Sequence, residues 1–338
     1  MIDNITSLRK VQLELLQTFT KICEGHGLSY YAFYGTLLGI SRGEGYLTWD
    51  DDIDVAMPMK DYLALCSHRE WFDSETYYLQ TPLDYGLCHF AKLRRNGTTA
   101  FREDFIDCLK NEGHQGISMD IIPLADLPGM GAYHTPAMLG ADKKSAVYLK
   151  EWFEPHGTGL FEGISLDIPR MSRKVLNETY GDWAWPHGVR ESTRPSYWFF
   201  DTKKGYEHYI QRYTGMLEGI DDKKIVFFGA ADSLRIWLER FGRRRQVVCT
   251  FDNDAAKWGG QAYGVDVKNP AELPALMDGD TRLIIVSLYH HEIGRQLERM
   301  GIEDYYVYID NYYDEKIGNP VVRREDAPNG ELQIPKWG

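Results

Sequence analysis

Four aspartates crowd one short stretch of the chain, Asp50, Asp51, Asp52 and Asp54, with Ile53, Val55 and Met57 interleaved. In an extended strand successive side chains alternate faces, so Asp52 and Asp54 project together while Ile53 and Val55 turn to a core. Two carboxylates in one small, dry volume repel each other strongly, a conflict that a hard divalent cation resolves. Mg²⁺ is the default expectation and Mn²⁺ its alternative. A run of acids is as often a solvated turn, but the apolar residues between these argue for a strand. Asp50 shares the parity of Asp52 and either joins the metal face or braces the loop; Asp51 points the other way.

Upstream, Gly35 and Thr36 precede a short helix expected over 36–41. Backbone N–H groups at a helix start bind phosphate, and glycine lets the phosphate approach closely. A glycine turn followed by an Asp-x-Asp strand is the layout of the DNA polymerase beta-like nucleotidyltransferase fold, in which a carboxylate from a neighbouring strand completes the metal site. Asp120, set in the apolar run 116–124, is the candidate, because an acid within such a strand needs a partner. An Asp at a strand end facing water is the plainer alternative. Arg42 and Lys92 or Arg94 are the candidates for phosphate oxygens. Arg94 and Arg95 are adjacent, so only one of them can face the site. The chemistry such a set supports is displacement at phosphorus: a metal neutralises charge on the transferred group while a carboxylate orients or deprotonates the attacking hydroxyl.

Three separated segments, YGTLLGISRGEGYLTWDDDIDVAMP (34–58), AKLRRNGTTAF (91–101) and GISMDIIPL (116–124), occur in this order. With them about the first 200 residues resemble the LicD family, whose members are similar to fukutin and its relatives. The resemblance implies transfer of a phospho-alcohol, phosphocholine being the best known, from a CDP-linked donor to a sugar hydroxyl of a surface glycan or its precursor. It implies that Gly35 and Thr36 hold the donor phosphates, that Asp52 and Asp54 bind Mg²⁺, and that Asp120 completes the site or acts as base. The expected partners are therefore a CDP-alcohol and a glycan. A cytidylyltransferase releasing pyrophosphate would use the same carboxylates, and a degenerate nucleotide-binding module is the non-enzymatic alternative. A choline group would need aromatic faces. Tyr30, Tyr31, Tyr34, Trp49, Trp152, Trp183, Trp185 and Trp198 are the material available, with no particular cage indicated. His89, His114 and His187 lack metal-ligand spacing and read as structural.

The elements that must position these residues are those of an α/β protein. An amphipathic helix over 5–23 carries Ile5, Leu8, Val11, Leu15, Phe19 and Ile22 at three- and four-residue steps. Strands are expected over 30–34, 52–57, 77–79, 88–93 and 117–122, forming one mixed sheet, with a helix started by Pro58 and further helices over 137–152 and 169–180. The stretch 180–200 reads as an irregular loop.

A new pattern begins near 220: strand, glycine turn and helix from Lys224, then strands over 247–251, 283–287 and 305–309 with helices between, which implies a parallel, Rossmann-like sheet. Asp252 lies 23 residues after Gly229, near the spacing of a ribose-binding acid. Ala231 and Leu234 stand where the second and third fingerprint glycines would be, which disfavours intact NAD binding. The expected organisation is a LicD-type catalytic domain over 1–220 (α+β, mixed sheet), a Rossmann-like domain over 221–312 and a tail over 313–338.

Composition agrees with two packed domains, 43% hydrophobic and 13% aromatic over 338 residues. With 38 Lys+Arg against 50 Asp+Glu the net charge is −12, which disfavours nucleic acid and anionic membranes as partners. No secretory leader and no transmembrane run is visible, so a cytoplasmic protein is expected, a homo-oligomer being compatible with the sequence. The five cysteines are odd in number and widely spaced, and read as reduced thiols.

Overall fold

A computed structural model describes residues 5–43, 45–48, 50–84, 89–101, 113–135, 146–182, 199–242 and 245–308. The chain is an α/β protein divided into two compact units, Met1–Tyr206 and Glu207–Gly338.

In the first unit α1 (Ile5–His26) buries Leu8, Gln12, Leu15, Leu16, Phe19 and Cys23 along one stripe. It is followed by β1 (Tyr31–Ala32), α2 (Tyr34–Arg42), β2 (Asp54–Pro58) and α3 (Met59–Ser67), with Pro58 at the helix start. Then come β3 (Tyr77–Gln80), β4 (Ala91–Arg95), β5 (Thr99–Phe101), β6 (Ser118–Leu127), β7 (Ala132–His134), β8 (Val147–Leu149), β9 (Gly157–Phe161), β10 (Ile164–Ile168), α4 (Ser172–Tyr180) and β11 (Phe199–Asp201). The main sheet runs β1-β2-β6-β4-β3, extended by β7 and β8 from the far end of β6. Only the β2–β6 pair in it is parallel. That places the two carboxylate-bearing strands side by side at the centre, with α1 against β4 and β6 and α3 against β2 and β6.

Several expectations shift. The strand expected over 30–34 is cut to two residues because Tyr34 takes a positive φ of 39° and begins α2. The helix expected over 137–152 is not one where the chain is described: β8 and a 3₁₀ turn occupy 147–152. The reason is a period of two, Tyr148 fully buried between exposed Val147 and Leu149, on a strand paired to β7. The β9–β10 hairpin turns on Glu162 and Gly163, both at positive φ (49° and 82°), a two-residue turn whose Glu-Gly sequence is a weak signal. Most of the expected loop 180–200 and Trp49 lie outside the described residues, as does the tail 313–338.

The second unit opens with α5 (Tyr206–Thr214), followed by β12 (Lys224–Phe228), α6 (Asp232–Phe241), β13 (Gln246–Phe251), β14 (Gln261–Ala262), β15 (Val265–Lys268), β16 (Thr281–Ile285), α7 (His290–Arg299) and β17 (Tyr306–Val307). The division thus falls ahead of an amphipathic helix that the sequence reading placed in the first domain. Arg212 of α5 explains it: the guanidinium donates to the Tyr305 hydroxyl and the Glu303 carbonyl and lies 3.9 Å over the Tyr305 ring. The sheet order is β14-β15-β13-β12-β16-β17, parallel except for the β14–β15 hairpin. The parallel part therefore has the strand order of a Rossmann-type sheet. Among the described residues no helix is long and apolar enough to cross a membrane. Cys23, Cys66 and Cys249 are free thiols, two of them buried.

Candidate active site

Register decides what the central strands present. Asp54 of β2 stands opposite Asp120 of β6, Asp120 opposite Lys92 of β4, and Lys92 opposite Gln80 of β3. Directly opposed residues share a face, so one polar row, Asp54–Asp120–Lys92–Gln80, crosses four strands otherwise lined by Val55, Ile121 and Leu93 on the other face. All four are buried. The Lys92 ammonium lies 2.5 Å from Asp120 Oδ1. Arg94, two residues along β4, donates through Nε to Gln80 Oε1 at 2.5 Å and through Nη1 to the Gly116 carbonyl at 2.7 Å. Burying charges of this kind is tolerated only with such partners.

The segment 46–51 leading into β2 is strapped down by α1. Arg9 Nη2 donates to the carbonyls of Leu47 and Asp50, each at 2.7 Å. Gln12 Nε2 donates to the Asp51 carbonyl at 2.7 Å, and Gln12 Oε1 accepts from the Tyr46 hydroxyl at 3.1 Å. Against this segment packs the start of α2. A Cβ on Gly35 would fall 2.2 Å from Asp50 Oδ2, so glycine here is a condition for the Asp50 carboxylate to lie against the helix start. One residue on, the buried Thr36 hydroxyl accepts the Asp54 N–H at 2.9 Å and ties the glycine turn to the carboxylate strand.

The electrostatics report how tightly these acids gather. The Asp50 carboxyl is pushed up to about 8 by burial and then by the Asp52 carboxylate hydrogen-bonded to it, with Asp51 adding to the effect and Arg9 opposing it. The phenol of Tyr180, the last residue of α4, is raised well above its ordinary value by burial and by Asp54, Asp50, Tyr34 and Asp52. Three carboxylates therefore act on one buried tyrosine. Tyr34 is likewise raised by burial and by Asp54, while a hydrogen bond with Thr135 opposes the shift.

The structure thus brings Asp54, Asp120 and Lys92 into one row and sets Gly35, Thr36, Asp50 and Asp52 beside its Asp54 end. Asp120, expected as a third metal ligand or base, has an ammonium as its partner. Among the described residues no three His, Cys, Asp or Glu side chains form a ready-made metal cluster. Arg42 sits in the last turn of α2, about 10 Å along the helix axis from Gly35. Arg94 is engaged by Gln80 and Gly116 rather than turned to a phosphate position. Of the aromatic residues, Tyr30 and Tyr31 belong to the core, the Tyr31 hydroxyl donating to Glu154 Oε1 at 2.5 Å; Trp183, Trp185 and Trp198 lie outside the described residues. His114 is structural: Nε2 meets Asn96 Oδ1 at 3.0 Å, Nδ1 accepts the Gly116 N–H at 3.0 Å, and the ring stacks on Tyr78.

Sequence reasoning missed Arg9, Gln12 and Tyr180. Gln12 left one trace, a polar residue in the stripe of α1 where an apolar one is expected. Arg9 and Tyr180 left none.

Comparison with known proteins adds the name for this arrangement. The family model described as LicD/FKTN/FKRP, nucleotidyltransferase domain, matches residues 27–171. The chain carries a LicD-family domain. That match spans Gly35 through the carboxylate strand and Asp120, and ends short of α4, so Tyr180 lies beyond it. Over 76 residues the chain is 38% identical to the lipopolysaccharide cholinephosphotransferase LicD of Haemophilus influenzae, a stretch that is 22% of this chain and 28% of that protein. The likeness thus spans little more than a quarter of that LicD protein's length.

Proposed function

We propose that the protein is a Mg²⁺-dependent phosphotransferase that moves a phospho-alcohol, phosphocholine in first place, from a CDP-linked donor to a sugar hydroxyl of a cell-surface glycan or its precursor. The observation that carries the reading is the side-by-side placement of Asp54 and Asp120 on the two central parallel strands, next to a helix start where Gly35 admits the Asp50 carboxylate, all within the matched residues 27–171.

The donor set suits a hard cation. Asp52 and Asp54 supply carboxylate oxygens, and burial, then the neighbouring acids, raise the Asp50 carboxyl because its negative charge lacks compensation. Mg²⁺ bound there would neutralise charge on the transferred phosphoryl group and on the leaving CMP. The chain's own groups do the rest. Donor phosphate approaches at Gly35, the buried Thr36 hydroxyl fixes the strand that carries Asp54, and Asp120, paired with the Lys92 ammonium, orients the attacking hydroxyl and accepts its proton. In-line displacement then breaks the bond from phosphorus to the CMP oxygen as the sugar oxygen bonds to phosphorus.

The test is an incubation of purified protein with Mg²⁺ and a panel of CDP-alcohols, with and without an oligosaccharide acceptor, scored for CMP and pyrophosphate by mass spectrometry. Acceptor-dependent CMP, abolished by EDTA and restored by Mg²⁺, is the expected result. Pyrophosphate from CTP and phosphocholine would make the protein a cytidylyltransferase, and turnover indifferent to EDTA would remove the metal from the reading.

A further inference from the structure

The second unit contains a glycine turn and an acid that the transfer reaction leaves without a role. In its sheet β12 lies between β13 and β16; the connection after β12 runs to β13 and the connection after β16 runs the other way to β17, and in such sheets ligands enter at the carboxyl ends of the strands around that point. At that edge β12 is followed by Gly229, whose φ is 119° and whose Cβ would stand 2.5 Å from the Val286 carbonyl oxygen. Asp252, the residue after β13, reaches back to this turn. Its Oδ2 accepts the Ala230 N–H and the Lys257 ammonium, each at 2.9 Å, and its Oδ1 accepts the Asp254 N–H at 2.9 Å.

Ala230 and Lys257 also line a cavity of about 470 Å³, within the range of small-molecule sites. Ala256, Ala262 and Val267 keep its wall small and apolar, and Lys257 is the sole charged side chain on it. Tyr263 completes the wall from the β14–β15 turn, where it and Gly264 both take positive φ (52° and 81°). Asn, Asp or Gly is the ordinary residue there; here a half-exposed tyrosine presents its ring. Its hydroxyl donates to Asp232 Oδ1 at 3.0 Å, which holds the ring in place. Among the described residues, three of the five exposed large hydrophobic side chains of this unit, Trp258, Leu288 and Tyr289, stand on connections that follow the carboxyl ends of β13 and β16.

We propose that this cavity binds the nucleoside end of a ribonucleotide, with the base against Tyr263, the ribose hydroxyls at Asp252 and a phosphate at Lys257. An aromatic face accepts any base, a carboxylate after the second strand of such a sheet accepts ribose hydroxyls, and an ammonium pairs with phosphate as a point charge. A dinucleotide does not fit. Fully buried Leu234 fills the place of the third fingerprint glycine, and the Asp232 carboxylate occupies the first turn of α6, where a pyrophosphate would have to rest.

Hydrogen–deuterium exchange of the full chain, read peptide by peptide with CMP, CDP, UMP, UDP, ADP or GDP added singly, tests this. At least one nucleotide is expected to protect the amides of 229–233 and 252–263. Tyr263→Asn, which suits the turn, should weaken that binding about tenfold, the worth of one base–aromatic stack. Lys257→Ala should remove the preference for the nucleotide over its bare nucleoside. Asp54→Asn, in the first unit, should leave the protection intact. Protection confined to 34–54, no protection by any nucleotide, or equal affinity in the Tyr263 and Lys257 variants would overturn the proposal. The first of these outcomes would leave the reading of the LicD domain standing.

Discussion

Asp54 is held by neighbours of different chemistry: its N–H by the Thr36 hydroxyl, its flank by Asp120 and its surroundings by Tyr180 and the acids before it. Asp54→Asn keeps the volume and removes the charge. It should lower kcat with CDP-choline by at least about 100-fold, roughly 2.7 kcal/mol of transition-state stabilisation, while the melting temperature of the metal-free protein stays level or rises because repulsion is relieved. Wild-type turnover in this variant would take Asp54 out of the site. His114 makes a prediction about pH. Burial, then the charge of Arg94, lowers its imidazole from the ordinary 6.5 to about 4. The folded ring refuses a proton that the unfolded chain accepts, so stability is complete above pH 6.5 and is lost as pH falls from about 6.5 toward 4. The geometry agrees, since protonated Nδ1 would face the Gly116 N–H, donor against donor. Urea midpoints measured across that interval should fall with acid in the wild type and less steeply in His114→Gln.

Among the elements, α1 has a task beyond covering the sheet. Through Arg9 and Gln12 it supplies the donors that the loop before β2 needs for its carbonyls, and so sets the entry of the carboxylate strand. Gln12→Leu would keep the helix stripe apolar while leaving the buried Asp51 carbonyl without that donor. A loss of about 1–3 kcal/mol in stability is expected, measured by urea denaturation. A fall in kcat larger than the fall in folded fraction at the assay temperature should accompany it. The helix itself was legible from its three- and four-residue apolar steps; β2, expected over 52–57, runs Asp54–Pro58, so of the alternating acids only Asp54 lies on it. The β9–β10 hairpin was not, because Gly157, Thr158 and Gly159 give no period and Glu162 is an unusual residue at positive φ. The misread stretch at 147–152 failed for a related reason: three residues of alternation are too few to outweigh a helix-like composition.

The whole molecule has two compact units, one built around the mixed sheet and one around a parallel sheet of Rossmann-type order. The second unit holds its own buried set, Trp237, Phe227, Phe228 and Phe251 among them. Separate cores unfold as separate cooperative blocks. Scanning calorimetry should therefore show a calorimetric enthalpy larger than the van't Hoff value. A single two-state transition would mean that the units share one cooperative core. If the LicD domain binds CDP and Mg²⁺, adding both should shift one of the transitions upward and move the other less.

The sequence alone dictates whatever follows from local period and local chemistry. That includes the helix stripe of α1, the glycine turn after β12 with an acid after the next strand, and the strand–helix alternation that makes the second sheet parallel. Only the tertiary structure decides which distant groups meet. Lys92 and Arg94 lie on one strand and Asp120 on its neighbour in the same sheet, and parity allows each cation to reach either a phosphate or a protein acceptor. The register of β4 on β6 gives Lys92 to Asp120, and the fold gives Arg94 to Gln80 and Gly116. Gly35 reads in sequence as an opening for phosphate, yet the group nearest its missing Cβ is the Asp50 carboxylate. Such partners are separated by tens of residues, and their meeting depends on strand order and register, which no local pattern carries.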